Sequence, residues 1–216
     1  MHLVEVMKEP TKWANKTIDV IVVEPLNGPK TLENLRQATY GQVPVSLVDH
    51  RGSDLALVPR EWTPESPTRY RTGFDRVLTS PLHVTGELLE DRELSRKGHP
   101  SWVLRVKTIE AATLEPPVRV NTIEELARYD RRAVIYEGTY TAGFERSFLD
   151  GKIWLSVYDA ATSAKVPRND KVPRRVRATG IVFAQPGQRY GHMGSGLYEL
   201  IATELEDLGA LDGADR

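Results

Sequence analysis

The chain has 216 residues, with 29 Lys and Arg set against 30 Asp and Glu, a net charge of -1 and 40% hydrophobic residues. That composition is globular, and its near-neutrality excludes an overall field that would draw nucleic acid or an anionic membrane. With no cysteine, disulfides, thiolate nucleophiles and Cys-ligated zinc are excluded together.

The N-terminal MHLVEVMKEP has no basic start followed by an apolar run, and no stretch approaches the ~18 apolar residues of a membrane span. A cytoplasmic protein without membrane contact is expected. A β-branched run at residues 20–23 predicts a strand, closed by Pro25, Asn27, Gly28 and Pro29. Residues 31–38 predict a short helix. Residues 43–48 and 55–58 predict a hairpin turning at His50 to Asp54, and 59–72, with three prolines, a surface connection. Strands are predicted at 82–89 and 102–109. Pro116-Pro117 then marks a domain boundary, because a proline pair favours an extended, stiff segment.

Beyond the boundary, Thr122 and Glu125 have capping-box spacing for a short helix at 122–129. Four strands are predicted at 133–140, 153–158, 176–183 and 197–203. The small, polar end of the chain is expected to fray.

The two halves share an order of signals. Each has a Thr-Gly inside a strand (Thr85-Gly86, Thr179-Gly180), then a Gly-His (Gly98-His99, Gly191-His192), then a strand threonine (Thr108, Thr203). That order suggests duplication. Four or five strands with one short helix suggest a small barrel, since a glycine inside a strand marks the bend such barrels need. The pattern resembles that of an OB-fold, a five-stranded partly open barrel. The second half also resembles uncharacterised bacterial OB-like proteins. The residues that carry this are Gly143-Phe144-Glu145, Ile153-Trp154-Leu155 and Tyr190-Gly191-His192-Met193-Gly194, within 131–206. The resemblance implies a fold and no activity. The first half lacks the first two motifs, and its Gly98-His99 lacks the tyrosine.

Four groups of residues could carry chemistry. Lys165, Arg168, Lys171, Arg174, Arg175 and Arg177, opposed only by Asp170, give residues 163–177 a local charge of +5. Such a run, read as a projecting loop, could neutralise phosphates or be merely solvated. The second half also holds ten of the sixteen aromatic residues, within 129–198. Alternation puts Ile153, Leu155 and Val157 on a core face and Trp154, Ser156 and Tyr158 on the other. That second face could stack bases or lie in an interface, whereas Tyr136 and Tyr140 read as core. His192, between Gly191 and Gly194 in the Tyr190 motif, could be a base or ligand, or could pin a turn. Glu137, Glu145, Asp150 and Asp159 could do acid–base work, but four acids near three strands are expected by chance in a chain with 30. No dinucleotide, phosphate-loop, nucleophile-elbow or zincin motif is present.

The expected architecture is mainly β: two tandem OB-like small β-barrels, each with a short helix, at residues 1–115 and 118–208, with a flexible tail at 209–216. The expected function is a binding module for single-stranded nucleic acid or a protein partner. Arg174, Arg175 and Arg177 would hold phosphates, Trp154 and Tyr158 would offer stacking surface, and Tyr190 and His192 would also bind the ligand. No cofactor or metal is expected. The rivals are an assembly protein that uses the aromatic face and an enzyme with a site around His192.

Overall fold

A computed structural model describes residues 1–23, 26–27, 45–48, 54–58, 76–77, 81–90, 102–143, 146–167 and 172–211. The helix expected at 31–38, the Gly98-His99 pair, Glu145, Arg168 and Lys171 lie outside these. The chain is mainly β and divides into two compact units, Met1–Thr113 and Leu114–Arg216. Among the described residues no helix is long and apolar enough to cross a membrane.

The first unit opens with helix α1 (Leu3–Lys8) and a 3-10 turn at Pro10–Trp13. Its strands are β1 (Thr17–Val22), β2 (Leu26–Asn27), β3 (Val45–Val48), β4 (Asp54–Val58), β5 (Arg76–Val77), β6 (Leu82–Glu90) and β7 (Trp102–Ala111). They form one sheet in the order β1-β6-β7-β4-β3-β2-β5. Every pairing is antiparallel except β4 with β7. Strict alternation explains β6: Leu82, Val84 and Leu88 point into the core, while His83, Thr85 and Glu87 stay partly exposed.

The second unit contains β8 (Val118–Val120), a 3-10 helix at Glu124–Tyr129, β9 (Ala133–Gly143), β10 (Arg146–Leu149) and β11 (Ile153–Ser156). Helix α2 (Ala160–Ser163), β12 (Arg174–Phe183) and β13 (Tyr198–Ala210) follow. The sheet order is β10-β11-β13-β12-β9-β8, and β9 also pairs with β10, so five strands close into a barrel. Closure leaves those five strands without an open edge. Inside it lie Val134, Tyr136, Tyr140, Leu149, Ile153, Leu155, Val176, Ala178, Leu200 and Leu205, all buried. Each large apolar side chain so placed contributes roughly 1.5–3 kcal/mol relative to exposure.

Three local expectations change. The segment after Thr122 is 3-10 with Ile123 at its N-cap, and only half of the capping box forms. The Glu125 carboxylate accepts the amides of Asn121 and Thr122, at 3.1 and 3.2 Å. Arg174 and Arg175 are not in a projecting loop but in β12 with Arg177, because they continue its ladder to β9 and β13. For the same reason β13 runs on through Gly209 and Ala210, paired with Arg175 and Arg174.

Thr85-Gly86 and Thr179-Gly180 both sit at register shifts, in β6 against β7 and in β12 against β13. The glycines are required by close approach. A Cβ on Gly86 would lie 2.6 Å from the Arg105 carbonyl oxygen, and one on Gly180 2.1 Å from that of Ile201. The third shared signal falls one residue out of step, since Thr85 faces Thr108 whereas Thr179 faces Glu204. Gly180→Ala should therefore cost the second unit ~2 kcal/mol or more, because backbone rather than a movable side chain blocks the methyl. Urea unfolding of the variant checks this; an unchanged midpoint would show that the shift can absorb a side chain.

Candidate functional site

Between the end of β12 and the start of β13, residues 184–197 fold back over the barrel's outer surface. Tyr190 and Gly196 exchange backbone hydrogen bonds of 3.0 and 2.9 Å, which close the loop on itself. The Tyr190 ring is buried, and its hydroxyl accepts the Gln185 amide at 3.0 Å. Burial, reinforced by the charge of Asp130, pushes this phenol up to about 12. It therefore stays protonated and serves as an anchor. The Ser195 hydroxyl donates to the His192 carbonyl at 2.8 Å and tightens the tip.

The floor of the loop is Trp154. Gly191 has φ 73°, and a Cβ there would lie 2.1 Å from Trp154 Cδ2, so the indole packs against bare backbone. A second contact comes from Phe148, edge-on to the indole at 5.3 Å. At the tip, Met193 adopts φ 52° and ψ 23° and is 90% exposed. Lys152 adjoins through its carbonyl, which accepts the Leu197 amide at 2.8 Å.

A buried polar support secures the start of the loop. Arg131 is 4% exposed, donates to Asp130 at 2.6 Å and lies over the Phe183 ring at 5.4 Å. The other Asp130 oxygen accepts the Ala184 amide at 2.8 Å. Just past the end of the loop, the buried Glu199 carboxylate accepts the Ser156 hydroxyl at 2.5 Å. Sequence reading singles out none of Asp130, Arg131, Gln185 or Glu199. Asp-Arg-Arg before a strand looks like a solvated turn, and no local pattern reveals that its arginine turns inward.

Of the residues expected at a site, Trp154, Tyr190 and His192 come together here, with His192 exposed in the tip. Tyr158 follows β11 and is half-buried. The arginines lie elsewhere: at ~3.3 Å per residue, Arg177 is about 20 Å along β12 from Phe183. There they meet carboxylates. Arg177 binds Glu137 at 2.8 Å and Glu206 at 2.5 Å, Arg174 binds Asp207 at 2.7 Å, and Arg175 and Arg119 also reach Glu137. Asp150 holds the β10–β11 turn by accepting the Tyr136 hydroxyl at 2.7 Å and the Thr139 amide at 2.8 Å. Asp159 caps α2 by accepting the Thr162 amide at 2.7 Å. The described carboxylates of the sequence reading thus have structural partners. Among the described residues no group of three or more His, Asp or Glu could hold a metal.

These partners carry a pH dependence. The Arg177 hydrogen bond holds the Glu137 carboxyl below its ordinary range, as Arg174 does for Asp207 and the Thr162 amide for Asp159. A depressed folded-state value means that the folded state binds fewer protons than the unfolded one. The contribution is full above the unfolded value of about 4 and is lost as pH falls through the lower folded values. The urea midpoint should therefore fall between pH 5 and pH 3, and fall less in Glu137→Gln. An equal fall in both proteins would remove Glu137 from the account.

No protein-family model, curated protein or solved structure matches this chain.

Proposed function

We propose that this chain is a binding module of two tandem OB-type barrels that engages a protein partner through the loop at 184–197. Support for the barrel pair comes from matching connectivity. In the second unit β9 pairs with β10 and β12, β12 with β13, and β11 runs parallel to β13. In the first, β1 pairs with β6, β2 with β3, β6 with β7, and β4 runs parallel to β7. With β1 and β2 counted together, the pairings of the first unit correspond to those of the second, which supports an OB-type arrangement in both. The entry to the first strand also repeats. Asn15 and Arg131 each have φ 60°. Asn15 donates to Leu88, which donates to Lys16, as Arg131 donates to Val182, which donates to Arg132.

The loop at 184–197 joins the fourth and fifth strands of its barrel, a connection that OB-folds use for recognition. That analogy supplies no ligand. The carrying observation is Met193: a large apolar side chain, 90% exposed, on a non-glycine residue at positive φ. Such backbone costs of order 1–3 kcal/mol and clusters at functional positions. A protein partner would cover the methionine. Single-stranded nucleic acid is the second reading, favoured by the cation Arg189 beside the tip and by Lys152, whose backbone bonds the end of the loop. Against it, the Trp154 ring is closed by Gly191 and the β12 arginines are held by carboxylates.

A benzophenone amino acid placed at Met193, with Glu204 as an exposed control position, tests the reading in cells of the source organism. A discrete protein adduct at 193 and none at 204 is expected; no adduct at 193 would reject it. Salt-sensitive binding of a labelled single strand, read by fluorescence anisotropy, would replace it with the nucleic-acid reading.

A further inference from the structure

Resting on that reading, we infer that the partner segment seated on the 184–197 loop is acidic and carries an apolar side chain. The tip combines two kinds of surface. Met193 is 90% and Leu197 37% exposed, so apolar area faces solvent within a few residues. Two exposed cations belong to the segments that build this surface. The Arg189 Cβ lies 3.1 Å from where a Gly194 Cβ would be, which sets that side chain beside the turn bearing Met193. Lys152 is tied to Leu197 through its backbone.

Neither cation meets a carboxylate among the described residues, in contrast to Arg174, Arg175 and Arg177 of β12. Residues 184–198 contain no Asp or Glu. The neighbouring Asp150 is already engaged by Tyr136 and Thr139.

These facts select the partner's chemistry. A basic segment would be repelled by Lys152 and Arg189, and a wholly apolar one would leave both cations without a counter-charge. An acidic segment satisfies both cations while its apolar residue covers Met193. The loop is closed by its own hydrogen bonds and packed on Trp154 before any partner arrives, so little ordering cost remains on this side.

The test is panning a random dodecapeptide phage library on the full chain, with Met193→Asp and the pair Lys152→Glu, Arg189→Glu as comparison baits. All three positions are exposed, so the variants should fold; circular dichroism confirms this before panning. Enriched peptides should be rich in Asp and Glu around a Leu, Met or Phe. A synthetic consensus peptide should bind either variant at least about tenfold more weakly, and the wild type more weakly at high salt. Neutral or basic winners would overturn the acidic assignment and leave the loop as a docking site. Acidic winners that bind both variants as well as the wild type would place the site elsewhere and overturn the inference. No enrichment on the wild-type chain would overturn it too, and a missing adduct at 193 would then remove the docking loop itself.

Discussion

Arg131→Ala should destabilise the second unit by about 3 kcal/mol, seen as a lower urea midpoint by near-ultraviolet circular dichroism. The arginine is 4% exposed while its partner Asp130 is 27% exposed, so the loss belongs at the lower end of the buried-pair range. Removing the guanidinium leaves the Asp130 carboxylate without its cation, empties the space over Phe183, and weakens the group that holds the Ala184 amide. Backbone strain does not confound the comparison, because alanine at φ 60° costs about what arginine does. The double variant Asp130→Asn, Arg131→Met removes both charges and should be milder than Arg131→Ala. A loss under about 1 kcal/mol in Arg131→Ala would mean that the pair does not support the loop.

Gly191→Ala should be comparably severe, ~3 kcal/mol, with a local optical signature. Its φ of 73° already disfavours a side chain, and the new methyl would overlap the indole of Trp154 at 2.1 Å. Trp154 must leave its seat or the loop must lift, and either exposes the ring to water. The emission difference between the protein and a Trp154→Phe reference isolates this residue among four tryptophans. It should shift to longer wavelength in the variant. Gly187→Ala is the control: φ is 78° but nothing lies within 4 Å of the added carbon, so only ~1 kcal/mol of backbone cost is expected. Equal behaviour of the two variants would separate the Gly191 effect from Trp154.

Part of the candidate site was legible in the residues. Tyr190, Gly191 and His192 stood out because glycines around a histidine mark close backbone approach, and Trp154 because alternation turned it away from Ile153 and Leu155. Their meeting was not legible, since Trp154 lies in β11 and Gly191 in the connection between β12 and β13, far apart in the chain. The basic run shows the opposite failure. Lys165 to Arg177 reads as a block of positive charge in one dimension, yet Glu137, 40 residues before Arg177, lies against it in the folded chain. Charge sums over a window contain no information about the neighbouring strand.

What the amino-acid order determined by itself is local. Alternation set which side chains of β6, β9 and β11 face the core, Thr-Gly marked the register shifts, and the absence of cysteine removed whole classes of chemistry. The tertiary structure decided the rest, because the parallel pairing of β11 with β13, the carboxylates on the β12 arginines and the inward turn of Arg131 all join residues far apart in the chain. Such contacts follow from barrel closure and desolvation, which depend on the whole sheet and leave no period in the sequence.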